Sequence, residues 1–337
     1  MLTTLALLQA LTLDSLATER VAGPLGARLD AQLSHYADSG FWGAVLVVRD
    51  RHVVLLKGYG LADSTRRIPN TAATRFEMNS MTKMFTGVAI LQLAASGRLK
   101  VDDPIERYLP GFPAEKRSAT IAELASHTAG LIVAGTTLAG DSRAAFVRDV
   151  QTTPREAPAG TQYRYTNAGY SLLAAIIEVT SGERFETYVR AHAFEPAGMR
   201  SARFRDEIPS APGDSLFAHG YGGAPNPYVW GTRGAGGAWM TVGDMYRWVV
   251  AVEDGVVLPA SQRTLLFSSP TPPSQEAFGW HVSPARIDKG GGSADFASQL
   301  LYYPAEHVVI IWTSNNLRRR WRQTLNQTLP RMVLGTS

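Results

Sequence analysis

Apolar residues recur four apart at Val21, Leu25, Leu29 and Leu33, a spacing that predicts an amphipathic helix over 20–38. Gly43 to Val48 and Val53 to Leu56 are short β-rich runs around Arg49-Asp50-Arg51-His52, the texture of a hairpin. From Ser80 to Gly97 apolar side chains fall on nearly every side of a helical wheel, with Asn79 at the N-cap position and Gly97 at the stop. A helix apolar all round is a buried one. Helical patterns and polar loops alternate to about residue 205, and a Gly/Pro-rich stretch over 205–240 ends in Gly234-Ala235-Gly236-Gly237. Met245, Trp248, Val249 and Val252 then share one helix face. Strand texture returns at Phe278 to Val282, Phe296 to Tyr303 and Val308 to Thr313. Leu317, Trp321, Leu325 and Leu329 predict a closing amphipathic helix. Strands toward both ends with helices between them predict an α/β (α+β) fold: a mainly antiparallel sheet formed by both chain ends, flanked by helices, with an inserted helical lobe. The corresponding division is 20–75 together with 235–337 for the sheet lobe and 76–234 for the helical lobe.

Composition narrows the chemistry. With 45% hydrophobic and 18% charged residues, the chain has an ordinary globular balance. Its formal charge of +4 comes from arginine, because lysine occurs only at Lys57, Lys83, Lys100, Lys116 and Lys289. The basic run Arg318, Arg319, Arg320 and Arg322 lies on the closing helix and reads as its solvated face, too small for a nucleic-acid surface. The absence of cysteine excludes disulfides and thiolate metal sites. The histidines are scattered, so neither a metal nor another cofactor is expected. Met1 to Leu13 is apolar but broken by Gln9, and fits either a signal peptide or an N-terminal helix. It is too short to span a bilayer, and no later run is long enough.

Three short motifs carry the candidate chemistry. In Ser80-Met81-Thr82-Lys83, serine and lysine lie one helical turn apart, and a serine needs a neighbouring base to become a nucleophile. Lysine serves only if burial lowers its pKa from about 10.4. Alone the motif is close to chance level. Its place on a buried helix, in a chain that otherwise uses arginine for positive charge, is what favours chemistry over a surface lysine; arginine could not deprotonate there. Tyr165-Thr166-Asn167, just before the apolar run Gly169 to Thr180, offers a phenol for proton transfer and an amide to orient lysine and substrate. The bland alternative is an asparagine capping that helix. Lys289-Gly290-Gly291-Gly292 lets a substrate approach the backbone near Gly291, with amides donating to an oxyanion and Lys289 holding a substrate carboxylate. Its bland alternative is a flexible glycine turn.

Together these residues resemble the defining motifs of the penicillin-recognising serine hydrolases: class C β-lactamases, D-alanyl-D-alanine carboxypeptidases, D-aminopeptidases and β-lactamase-like esterases. The resemblance runs from about residue 40 to 315. It includes Phe76-Glu77-Met78-Asn79 before the serine, Gly97 to Pro104 after its helix, Leu124 to Leu131 around His127, Pro158 to Thr161 and Phe194 to Met199. It implies a β-lactamase/transpeptidase-like fold, a periplasmic or secreted location, and a small ester, amide or β-lactam as substrate. It further implies Ser80 as nucleophile, Lys83 and Tyr165 as proton-handling partners, and Asn167 and Lys289 as substrate contacts. The amides of Ser80 and Gly292 become the oxyanion hole. Two departures bear on substrate: Gly290 stands where the family has Thr or Ser, and Asp295 where it has a glycine. Both favour an esterase, amidase or peptidase over a class C-like β-lactamase. A penicillin-binding sensor with stalled deacylation is the non-enzyme alternative.

Overall fold

The computed structural model describes residues 16–131, 142–208, 216–222, 227–268, 274, 276–316 and 321–335. The readings of Met1 to Leu13 and of Leu317 to Arg320 lie outside these. Among the described residues, eight strands form one antiparallel sheet: β1 (Arg20–Val21), β2 (Gly43–Arg49), β3 (His52–Tyr59), then, past a smaller sheet, β7 (Glu276–Ala277), β8 (Trp280–Val282), β9 (Ile287–Gly292), β10 (Ala297–Tyr303) and β11 (Val308–Ser314). Their order is β1-β3-β2-β11-β10-β9-β8-β7, so strands from the two chain ends meet where β2 pairs with β11. The expected sheet of both chain ends is the observed one.

Both faces of this sheet are covered. That is why β2 and β11 read as continuous apolar runs rather than alternating ones. Val45, Val47, Ile310 and Trp312 pack against α1 (Gly23–Asp38) and the closing helix Trp321–Leu334 through Leu29, Leu33, Leu325 and Leu329. Leu46, Val48, Val309 and Ile311 face the larger core, with α2 (Thr82–Ala95), α3 (Asn167–Ser181) and α4 (Val242–Glu253). Among the described residues no helix is long and apolar enough to cross a membrane.

Some local expectations change. Helix α1 starts at Gly23, with Pro24 in its first turn, while Val21 pairs with Leu55 in the sheet. Strand texture from Phe278 resolves into β7 and β8 around a turn at Phe278 and Gly279. That turn lies on α2 so closely that a Cβ on Gly87 would stand 1.9 Å from the Phe278 carbonyl oxygen. The glycine run 290–292 is no flexible turn; it ends strand β9, bonded to β10 in register.

Helix α2 buries 11 of its 14 residues, as its pattern predicts. It stops at Gly97, whose φ of +72° lets the Gly97 and Arg98 amides close back on the Ala94 and Leu93 carbonyls. Its start differs from expectation. Asn79 does not cap it: a 3-10 turn over Asn79–Met81 precedes the helix, and Asn79 has a φ of +50° where a capping residue is extended. Ser80 sits in the middle of that turn. A small sheet of β4 (Phe76–Glu77), β5 (Arg203–Phe204) and β6 (Ala238–Met240), with β6 central, anchors the approach to it.

Candidate active site

The three motifs, distant in sequence, converge on the Ser80 hydroxyl. Lys83 is wholly buried and donates from Nζ to Ser80 Oγ at 3.1 Å, to Asn167 Oδ1 at 2.8 Å and to the Ala235 carbonyl at 3.0 Å. All three acceptors are neutral. Burial therefore lowers the Lys83 pKa, and the nearby Lys289 charge lowers it further against the pull of Tyr165. Tyr165 donates from its hydroxyl to Ser80 Oγ at 2.8 Å. Burial by itself would raise its pKa, but the charges of Lys83 and Lys289 prevail and hold it below the usual phenol value. The charges of Lys83 and Tyr165 each favour the ionised form of the other. With two groups bonded to Ser80 Oγ, either is placed to take the serine proton.

Asn167 is the first residue of α3, and the cap belongs to its neighbour: the Thr166 side chain accepts from the Ala168 amide. The asparagine is thus released from capping to hold Lys83. His127 supports the tyrosine from below. Its ring lies 4.3 Å from that of Tyr165, and its Nδ1 accepts the Thr166 amide at 3.3 Å. Burial, then Lys289 and Lys83, push its pKa well below the ordinary value, so it stays neutral.

Lys289 is 3% exposed and bonded to Glu276 Oε2 at 2.7 Å, with its Nζ 5.6 Å from the Tyr165 ring centroid. Its charge is already matched by a carboxylate, and it lines a cavity shared with Ser80. Glu276 was missed because it lies on a two-residue strand 13 positions away, with no motif to mark it. The glycines beside Lys289 also divide. A Cβ on Gly291 would meet the Met78 carbonyl oxygen at 2.0 Å, so the missing side chain lets strand β9 lie against the nucleophile turn. Ser298 Oγ donates to that same carbonyl at 3.0 Å from the next strand. The room above Gly290 and Gly292 is taken by Arg322, which donates to the Gly291 carbonyl. Arg322 is exposed, as the reading of a solvated face expects, and its guanidinium also reaches over the strand end.

Two cavities meet at Ser80 and Gly292. The larger, about 520 Å³, is bounded by Tyr165, Glu276, Asp288, Lys289, Gly290 and Arg322. The smaller, about 50 Å³, is bounded by Glu77, Asn79, Asn167, Tyr228, Thr232 and Gly237. A serine–lysine–tyrosine cluster built on a buried lysine and opening on two cavities, at the seam of a sheet and a helical core, defines the class of penicillin-recognising folds. The Beta-lactamase family matches residues 29–328, and the chain belongs to it. The chain is 30% identical over 292 residues to PbpX of Bacillus subtilis (strain 168), which carries a penicillin-binding-protein name; the match covers 84% of this chain and 73% of that protein. Among solved structures it resembles FmtA from Staphylococcus aureus, with a TM-score of 0.81 at 21% identity over 94% of this chain and 91% of that one. A D-amino acid amidase from Ochrobactrum anthropi SV3 superposes with a TM-score of 0.78 at 19% identity over 93% and 98%. At these identities the two structures show the shared fold.

Proposed function

We propose that this protein is a serine hydrolase that cleaves small esters or amides, peptides included, through an acyl-enzyme on Ser80. The observation that carries the reading is the pair of hydrogen bonds on Ser80 Oγ, from Tyr165 at 2.8 Å and from a wholly buried Lys83 at 3.1 Å. Oγ attacks the substrate carbonyl carbon while its proton passes to the Lys83–Tyr165 pair. The oxyanion is held by the backbone amides of Ser80 and Gly292. Collapse breaks the bond to the leaving group, which takes that proton, and water then cleaves the Ser80 ester with the same pair as base. The larger cavity receives the leaving group. It brings together two carboxylates, Glu276 and Asp288, and two cations, Lys289 and Arg322, and this balance favours neutral esters and amides over the carboxylate-bearing β-lactams. Labelling with a fluorophosphonate and turnover of a p-nitrophenyl ester test the reading. Both are expected in the native protein and neither in Ser80→Ala; labelling that survives the substitution sinks it. A chromogenic cephalosporin turned over faster than the ester would install the β-lactamase reading, and a single burst without steady state the sensor.

A further inference from the structure

The smaller cavity holds a feature that acyl transfer by Ser80, Lys83 and Tyr165 does not use. Glu77 lies on β4 between Phe76 and Met78, both fully buried in the core. Strand alternation turns Glu77 the other way, into the wall of the cavity that also touches Ser80, Asn167 and Gly292. It is only 5% exposed. Among the described residues its carboxyl accepts no hydrogen bond. The Arg205 guanidinium stops at 4.0 Å, drawn over the ring of Trp239, the residue opposite Glu77 across the ladder. Burial pushes the Glu77 carboxyl up to about 7, with Arg205 opposing and Asp295 adding to the rise. A buried acid left without a donor costs stability unless something else supplies one. Two other polar groups around this cavity are already engaged: Tyr228 donates to Glu186, and Thr232 to the Pro227 and Val229 carbonyls.

We infer that Glu77 is the acceptor of an acyl-group subsite, and that the preferred substrates carry an ammonium close to the scissile carbonyl, as an aminoacyl ester or amide does. This rests on the acyl-enzyme reading, because the cavity shares Ser80 and Gly292 with the reacting centre. A carbonyl held between those two residues directs its leaving group into the larger cavity and its acyl substituent toward Glu77. The small cavity, about 50 Å³, suits a short acyl group. A charge-assisted bond to the ammonium supplies the donor the carboxylate lacks.

The test compares alanine methyl ester, each enantiomer separately, with methyl propionate, which differs only in lacking the amine. The kcat/KM ratio of the preferred alanine ester to the propionate is expected to fall by about tenfold or more in Glu77→Gln, in line with a hydrogen bond to a charged group. Taking the ratio across variants cancels the amine's own effect on ester reactivity. Glu77→Asp, which keeps the charge, is expected to retain part of the preference. A ratio unchanged in Glu77→Gln, or a parallel loss on both esters, overturns the inference and leaves Glu77 a structural residue. In the native protein, alaninamide should inhibit methyl propionate hydrolysis at about a tenfold lower concentration than propionamide. Equal inhibition overturns the inference even if the variants do not fold. Failure of the underlying reading looks different: no ester is cleaved, or cleavage survives Ser80→Ala.

Discussion

Lys83 and Lys289 both bury their ammonium groups against the Tyr165 ring, 4.9 and 5.6 Å from its centroid, yet their surroundings are opposite. Lys83 is enclosed by neutral acceptors, two side-chain oxygens and a backbone carbonyl. Lys289 is bonded to the carboxylate of Glu276. Burial among neutral oxygens weakens an amine's hold on its proton and makes it a base; an adjacent carboxylate opposes that effect. One lysine is therefore suited to exchange a proton, while the other is held in an ion pair beside the tyrosine. The same motif-level signal, a lysine in a lysine-poor chain, covers two different tasks.

Substitution at Lys83 should separate the two most sharply. Lys83→Arg keeps the charge but cannot deprotonate, and ester turnover should fall by about 10²–10⁴-fold. Steady-state assays of a folded variant check this, and near-native rates would return the base role to Tyr165 alone. The strand that carries Lys289 gives the next effect. Gly291→Ala drives a methyl onto the rigid Met78 carbonyl and should cost about 1–3 kcal/mol, read as a lower denaturation midpoint. Gly290→Ala meets the ends of two long side chains that can move, Gln299 at 2.7 Å and Arg322 at 3.3 Å, and should cost less. Equal losses would mean that strand β9 does not brace the nucleophile turn.

The smallest effect concerns pH. Activity should rise with pH as the Lys83–Tyr165 pair gives up its proton, along a limb centred below the ordinary lysine and tyrosine values. The Lys289 charge lowers both pKa values, so Lys289→Met should raise both and move the limb to higher pH, by about one unit. Glu276 raises the Lys83 pKa, so Glu276→Gln should move the limb the other way. A pH profile of kcat/KM for a neutral ester reads both. Shifts of the same sign would show that the pair does not act through charge.

Much of this was legible in the sequence because it rests on local periodicity. The buried helix after Ser80, the apolar strands of a doubly covered sheet and the order of the three motifs all follow from patterns within short windows. The two- and three-residue strands β4 to β7 left no such pattern, being too short to show a period. Asn79 was misread as a cap because a left-handed residue entering a 3-10 turn and an extended N-cap residue draw on the same amino-acid types.

The sequence by itself determined the chemistry available at the centre: which hydroxyl, amine and phenol are present, and that the helix carrying the amine must be buried. Only the tertiary structure decided what those groups face. Glu276 beside Lys289, Arg322 over the glycine strand and Glu77 in the wall of the small cavity come from segments between 3 and 242 positions from Ser80. The physical reason is that a side chain's proton affinity and its choice of ligand depend on the charges and solvent a few ångströms away in space. Residue spacing along the chain fixes those distances only within a single turn of helix.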